Sequence, residues 1–206
     1  MHALASLLIG YLLGSVSPAA LLSILSHHNL HEEGTGNLGA TNTMLVLGKN
    51  CGVFVMVFDI LKSFFAAKLA RLLFPQLAIA AMLAGFGAVL GHIHSIFLRF
   101  HGGKGVAALA GLIIAYDPRV FVILFGVAFL LMMACNYGVA GPVSAGILFP
   151  VFVWAGSRDP AQVLIAAGAG LLVIFAHRIN FTRIRSQQEH PFRPFVLARI
   201  HGDKFT

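Results

Sequence analysis

Charge is scarce in this chain: Asp, Glu, Lys and Arg make up 10% of its 206 residues, against about a quarter in a soluble globular domain. Acidic residues are scarcest, seven against fourteen Lys and Arg, which leaves a formal net charge of +7. That balance suits anionic lipid or an anionic substrate, and in so apolar a chain it does not point to a nucleic-acid partner. Cysteine is nearly absent. Cys51 and Cys135 adjoin apolar runs without metal-ligand spacing, so no metal site and no disulfide framework is expected, and both read as small packing residues. A Walker loop, a dinucleotide fingerprint and a repeat of fixed period are also missing, which removes the usual nucleotide-binding and solenoid readings. What the chain has is apolar length: 58% hydrophobic residues and a mean hydropathy of +0.88. The expectation is one all-α polytopic membrane domain, without a cofactor.

The first apolar run, Ala3 to Leu25, lacks the basic n-region of a cleaved signal and reads as a span broken near Gly14-Ser15-Val16-Ser17-Pro18. Pro18 removes a backbone donor, and the nearby Ser residues can satisfy the freed carbonyls or face a polar cavity. Further spans are expected over Cys51–Phe74, Leu77–Leu98, Val106–Tyr116, Val120–Ala134, Pro142–Trp154 and Ala161–Ala176, about seven in all. Asp117-Pro118 and the stretch 156–160 mark turns. The remainder, 177–206, carries Arg178, Arg183, Arg185, Arg193, Arg199 and Lys204 interleaved with Phe192, Phe195, Leu197 and Ile200, the pattern of an interfacial tail. With an odd number of spans the termini lie on opposite sides. Placing the tail inside also places Lys49, Arg99 and Lys104 inside, against Lys68, Arg71, Arg119 and Arg158 outside, so the expected orientation is N-out, C-in.

Two polar stretches interrupt this pattern. In GTGNLGATN, residues 34–42, three Gly, two Thr and two Asn fall within nine residues, a composition suited to a turn or to an oxyanion cradle. In GHIHSIFLRFHGGKGV, residues 91–106, Gly102 and Gly103 are expected at positive φ, close to a bound group that the Lys104 ammonium would face. A plain basic loop beside a span would also carry such residues. Asp59 and Lys62, three positions apart on one face of a span, can pair with each other, or Lys62 can turn to a bound anion.

The expected topology gathers 34–42, 91–104 and His177–Asn180 at one face. The order GTGNLGATN, DILK, GHIHSIFLRFHGGKGVA and HRINFTR resembles the bacterial acyl-phosphate:glycerol-3-phosphate acyltransferase family, commonly called PlsY, over nearly the whole chain. The resemblance implies a seven-span enzyme of the inner membrane, its site facing the cytoplasm, that moves an acyl group from acyl phosphate to the 1-hydroxyl of glycerol 3-phosphate in phospholipid synthesis. It implies no metal and no thioester. Because the leaving phosphate already activates the acyl carbonyl, the protein has only to position two substrates and neutralise their charge, and no Ser-His-Asp arrangement is called for. Residue by residue, the resemblance makes Thr35, Thr41 and Asn42 side-chain donors to phosphate and Gly36 and Gly39 backbone donors, with Asn37 in the same loop. It makes Lys104 a phosphate clamp beside Gly102 and Gly103, and sets His92, Ser95, Lys62 and Arg99 in the substrate-binding group. His177 and Asn180 come near the acceptor hydroxyl, and Glu189 falls where the family carries an acidic residue, though Gln187 stands where Gly is usual.

The chain also departs from the family pattern. Leu45 stands where an Arg is expected to grip the acceptor phosphate, and Val139 and Pro142 stand where two hydroxyls would line the pocket. A lost charge-assisted hydrogen bond is worth about 1.5–3 kcal/mol, or ten- to a hundredfold in affinity. Three readings are open on the sequence: the active acyltransferase; a divergent acyltransferase with another acceptor, or an inactive acyl-phosphate binder; and a small transporter suggested by Asp59 and Lys62. A transporter should show paired broken segments in two halves, and the sequence has none.

Overall fold

The computed structural model describes residues 1–193. The expected Phe195, Leu197 and Ile200 of the interfacial tail lie outside the described residues. Within them the chain forms ten α-helices and one 3-10 turn and no strand: α1 (His2–Ser15), α2 (Pro18–Leu25), α3 (Ala40–Val46), α4 (Lys49–Leu73), α5 (Ala80–Ile93), the turn Ile96–Leu98, α6 (Val106–Tyr116), α7 (Pro118–Cys135), α8 (Ala140–Ser157), α9 (Pro160–Ala176) and α10 (Arg178–Arg185). By length and composition four segments can cross a membrane, His2–Leu25, Ala80–Leu98, Pro118–Cys135 and Ala140–Ser157, and α9 with α10, bent by 46°, makes a fifth. α4 is long enough but carries Lys49, Asp59, Lys62, Lys68 and Arg71, and α6 has only 11 residues. The protein is an all-helical membrane protein.

Local chemistry sets the helix ends. Asp117 and Asp159 each cap the helix after them by accepting from a backbone amide, with proline as the first helical residue. Between α1 and α2, Val16 is extended and Ser17 caps α2 through the Ala20 amide at 3.2 Å. The break strands two carbonyls, and other helices supply their donors: Ser95 Oγ reaches the Ser15 carbonyl at 2.6 Å and Lys62 Nζ reaches the Val16 carbonyl at 2.7 Å. The chain kink is thus built into the interior polar network.

α5 lies at the centre, against α1, α4, α6 and α9. Its contact with α1 is a seam of small residues. Any Cβ on Gly10 or Gly14 would run into the backbone of Ala84 or Ala88, and one on Gly91 would run into the Tyr11 carbonyl and Ser15. In lipid, where tails are as apolar as leucine, such close backbone approach takes the place of a hydrophobic driving force between helices. The apolar core proper joins Val89 and Ile93 of α5, Leu109 and Leu112 of α6, Phe149 and Val153 of α8 and Val173 of α9. The outward face of α7, with Val122, Phe125 and Leu130, is left to the bilayer. After α10 the chain docks on the α7–α8 turn, where Arg193 donates to the carbonyls of Met133 and Ala134 at 2.6 and 2.8 Å and closes the end of α7. The two cysteines are free, and neither is buried: Cys51 is half-buried and Cys135 is exposed, contrary to their expected packing role.

Candidate active site

Two short loops and the α9–α10 joint meet at one end of the bundle. After the 3-10 turn, Arg99 and Phe100 adopt left-handed backbone, φ 50° and 65°, an uncommon state for side chains of that size. The Ser95 carbonyl holds the bend by accepting the amides of Leu98 at 3.1 Å and Phe100 at 2.7 Å. The chain then doubles back, and the amides of Gly102 and Gly103 bond the carbonyls of Ile93 and His92, both at 3.0 Å. This corrects the expectation for that pair. Neither glycine has positive φ, and their amides are already used. Glycine is required because a Cβ at either position would strike His92. The left-handed glycine of this loop is Gly105, φ 81°, at the start of α6.

Lys104, next in line, is half-buried, and its Nζ donates to Asn180 Oδ1 at 2.6 Å. Asn180 Nδ2 donates in turn to Glu189 Oε1 at 2.7 Å. Burial pushes the Lys104 ammonium below its ordinary pKa, the Glu189 carboxylate pulls it back up, and nearby Arg183 pushes it down. Beside this chain of contacts His177 caps α9, buried to 5% exposure, with Nδ1 2.8 Å from the Val173 carbonyl. A carbonyl oxygen can only accept, so Nδ1 carries the proton and Nε2 presents a lone pair. The residues Lys104, His177 and Asn180 therefore come together, as do Gly102 and Gly103 beside them.

The other glycine-rich loop is built differently from its expected form. Gly34 and Gly36 take φ of 63° and 73°, turns that only glycine makes without strain. Asn42, expected as a phosphate donor, is fully buried: Oδ1 accepts the Thr35 amide at 2.6 Å, and Nδ2 donates to the carbonyls of Leu30 at 2.9 Å and Glu33 at 3.1 Å. It staples the loop. The Gly36 and Gly39 amides, expected as backbone donors, bond the carbonyls of Glu33 and Asn37 at 3.1 and 2.9 Å. Thr35, Asn37 and Thr41 keep side-chain donors without hydrogen-bond partners among the described residues, and Thr35 and Thr41 are exposed. Replacing Asn42 with Ala unpairs three backbone groups, of which the Leu30 carbonyl is buried and the Thr35 amide and Glu33 carbonyl are part-buried; at about 1–3 kcal/mol for a buried unsatisfied group we expect a clear drop in thermal stability of the solubilised protein. Intact stability with a raised KM would instead return Asn42 to the ligand set.

Among the remaining expected contacts, the Arg99 side chain is exposed with no hydrogen-bond partner among the described residues, while Ser95 is buried on the Ser15 carbonyl. Lys62 faces inward. Its Nζ lies 2.7 Å from Asp59 Oδ1 and 3.1 Å from His92 Nδ1, in addition to the Val16 carbonyl. Thus Asp59 and Lys62 do pair, and His92 joins them. Leu45 lies on α3 and is 43% exposed; Val139 is buried ahead of α8, and Pro142 sits in its first turn. A cluster of three or more His, Cys, Asp or Glu able to hold a metal does not occur among the described residues.

The sequence profile of the family described as glycerol-3-phosphate acyltransferase matches residues 4–187. The chain belongs to this family. A glycerol-3-phosphate acyltransferase of Bacillus cytotoxicus is 38% identical over 89% of this chain and 91% of its own. One from Aquifex aeolicus is 33% identical over 93% and 100%, and one from Lactiplantibacillus plantarum is 33% identical over 92% and 91%. The fold is similar to the crystal structure of PlsY (YgiH), an integral membrane glycerol 3-phosphate acyltransferase, in its glycerol 3-phosphate form: TM-score 0.85, 33% identity, 93% of this chain and 96% of that one. The lysophosphatidic acid form of the same protein gives 0.83 at 32% identity, over 93% and 95%. Two members of the polar network, the backbone carbonyls of Ser15 and Val16, escape a reading by side-chain type altogether. The helix break at Pro18 is the signal that marks them, since it leaves carbonyls for other donors.

Proposed function

We propose that the protein transfers an acyl group from acyl phosphate to the 1-hydroxyl of glycerol 3-phosphate, yielding lysophosphatidic acid for phospholipid synthesis. The observation that carries this reading is the meeting of Lys104, Asn180 and His177 at one end of the bundle, an ammonium near an imidazole whose Nε2 has a lone pair. Lys104 binds phosphate, with Thr35, Asn37 and Thr41 as side-chain donors from the other loop. The acceptor hydroxyl oxygen attacks the acyl carbonyl carbon while its proton passes to His177 Nε2. The tetrahedral centre then collapses, the bond to the phosphate oxygen breaks, and phosphate leaves. The chemistry needs orientation and charge neutralisation and no covalent acyl-enzyme.

The topology proposed with it has seven spans, α1 with α2 and then α4 to α9, in the cytoplasmic inner membrane, N-out and C-in, with the site facing the cytoplasm. Contacts at the two ends support it. Lys104 and Asn180 join at one end with Leu38 against Gly103, while Lys68 meets the Ala115 carbonyl at the other. The test is direct: purified protein given acyl phosphate and labelled glycerol 3-phosphate should form labelled lysophosphatidic acid, and none should form without the acyl donor.

Leu45, exposed on α3 beside the loop, offers a second measurement. If glycerol 3-phosphate is the acceptor, Leu45→Arg should lower its KM by a factor on the order of ten, the worth of one regained charge-assisted hydrogen bond. A loss of transfer in Leu45→Arg would favour a different acceptor.

A further inference from the structure

The pair Asp59 and Lys62 has no part in the transfer just described, yet it is almost completely enclosed between α1, α4 and α5. An ammonium has three N–H bonds and no lone pair. Lys62 Nζ has two hydrogen-bond partners, the Val16 carbonyl at 2.7 Å and His92 Nδ1 at 3.1 Å, and an ion-pair partner in Asp59 Oδ1 at 2.7 Å. The Asp59 carboxylate at that distance favours the ammonium form of Lys62, and an imidazole nitrogen that faces an ammonium accepts. A neutral imidazole has one donor and one acceptor, and with Nδ1 accepting, the proton sits on Nε2. Asp59 Oδ1, 3.4 Å from His92 Nδ1, makes no well-aligned hydrogen bond among the described residues and holds the lysine by charge.

The other side of the ring matters for function. His92 is 8% exposed, and its Nε2 finds no hydrogen-bond acceptor among the described residues. It lies against Gly103, where an added Cβ would collide with Nε2 and come within 2.7 Å of the Leu38 carbonyl. The nitrogen therefore stands where the 34–42 loop crosses the 102–104 loop, one residue from Lys104. The nitrogen is not itself fully enclosed, unlike Asp59 Oδ1 and Ser63 Oγ, so its donor is open at this crossing to an acceptor that a ligand supplies. We propose that Asp59 and Lys62 are positioning residues that fix His92 as an Nε2–H donor at this crossing, where it binds a phosphoryl oxygen of the acyl donor. The proposal rests on the acyl-phosphate reading above for the identity of the ligand. The tautomer it requires does not depend on that reading.

Four proteins test it: wild type, His92→Gln, His92→Asn, and the double variant Asp59→Asn with Lys62→Met, which removes both buried charges together so that neither is left unpaired. A glutamine amide nitrogen can stand near the Nε2 position and an asparagine one cannot. The KM for acyl phosphate should rise at least about tenfold in His92→Asn and in the double variant and stay within about threefold in His92→Gln, with the KM for glycerol 3-phosphate nearly unchanged throughout. Nitrogen-15 spectra of histidine-labelled protein, with His92 assigned by its loss in His92→Gln, should show a protonated Nε2 in wild type that responds to added inorganic phosphate. In the double variant the two tautomers should mix. A proton on Nδ1 in wild type, or no response to phosphate, overturns the proposal, as does a double variant that folds and keeps the wild-type KM. So does a KM change confined to glycerol 3-phosphate. If wild type makes no lysophosphatidic acid, the acyl-phosphate reading fails, and the tautomer and phosphate measurements still decide this one.

Discussion

Lys104→Ala should reduce lysophosphatidic acid formation by about two to three orders of magnitude, mostly through a raised KM for phosphate-bearing substrates. The lysine stands on a loop, so its removal does not open a packed helix interface. Its stem is half-buried and its ammonium is aimed by Asn180 at 2.6 Å, so a phosphate arriving there meets a partly desolvated charge in place. Charge-assisted hydrogen bonds of this kind are worth about 1.5–3 kcal/mol each, and a phosphate can take more than one. The comparison with Lys104→Arg separates charge from placement, because a planar guanidinium cannot occupy the site of a compact ammonium held by a single amide. Thermal melting should be close to wild type in both variants. An unchanged KM in Lys104→Ala removes the clamp role. The sign of the pH effect follows from burial. Because it lowers the lysine pKa, the charged form is lost at a lower pH than for an exposed lysine. Phosphate binding should therefore weaken as pH rises through that lowered value, and Lys104→Ala should show no such limb.

His177→Ala should act on turnover, lowering kcat by about 10²–10⁴ while KM moves little, the range for loss of a positioned general base. The structure supplies the reason in the bond from Nδ1 to the Val173 carbonyl at 2.8 Å, which sets the tautomer and leaves Nε2 to accept a proton. An interaction that gains strength only as the hydroxyl attacks appears in kcat, not in binding. The competing role is that of a cap, since His177 also terminates α9. A cap alone predicts lower thermal stability with kcat nearly unchanged. Steady-state kinetics beside a melting curve distinguish the two.

Much of this protein is legible along the chain. Apolar runs separated by polar and proline-marked turns place the helices: Val106–Tyr116 is expected and observed with the same ends, and the proline-led starts of α7 and α9 fall within two residues of expectation. Helix formation in an apolar solvent is a local matter, because every backbone group must be satisfied within its own segment. The family is legible too, since it rests on short motifs in fixed order. The seven-residue α3 is missed, because a short helix inside a polar loop has no apolar period to announce it.

The chain by itself also determines which residues own a donor, an acceptor or a charge. Whether that group is free to act was decided only by the tertiary structure. Asn42, Gly36, Gly39, Gly102 and Gly103 all carry the donors expected of a phosphate cradle, and all five spend them on carbonyls of this protein. Lys62 spends its ammonium on Val16, Asp59 and His92. Lys104 gives its ammonium to a side chain, that of Asn180, 76 positions later. A hydrogen-bonding group is a property of one residue. Its partner comes from another helix, and only the packing of α1 against α5 and of the α9–α10 joint against the 102–104 loop brings that partner within 3 Å, where burial makes a donor either committed or available.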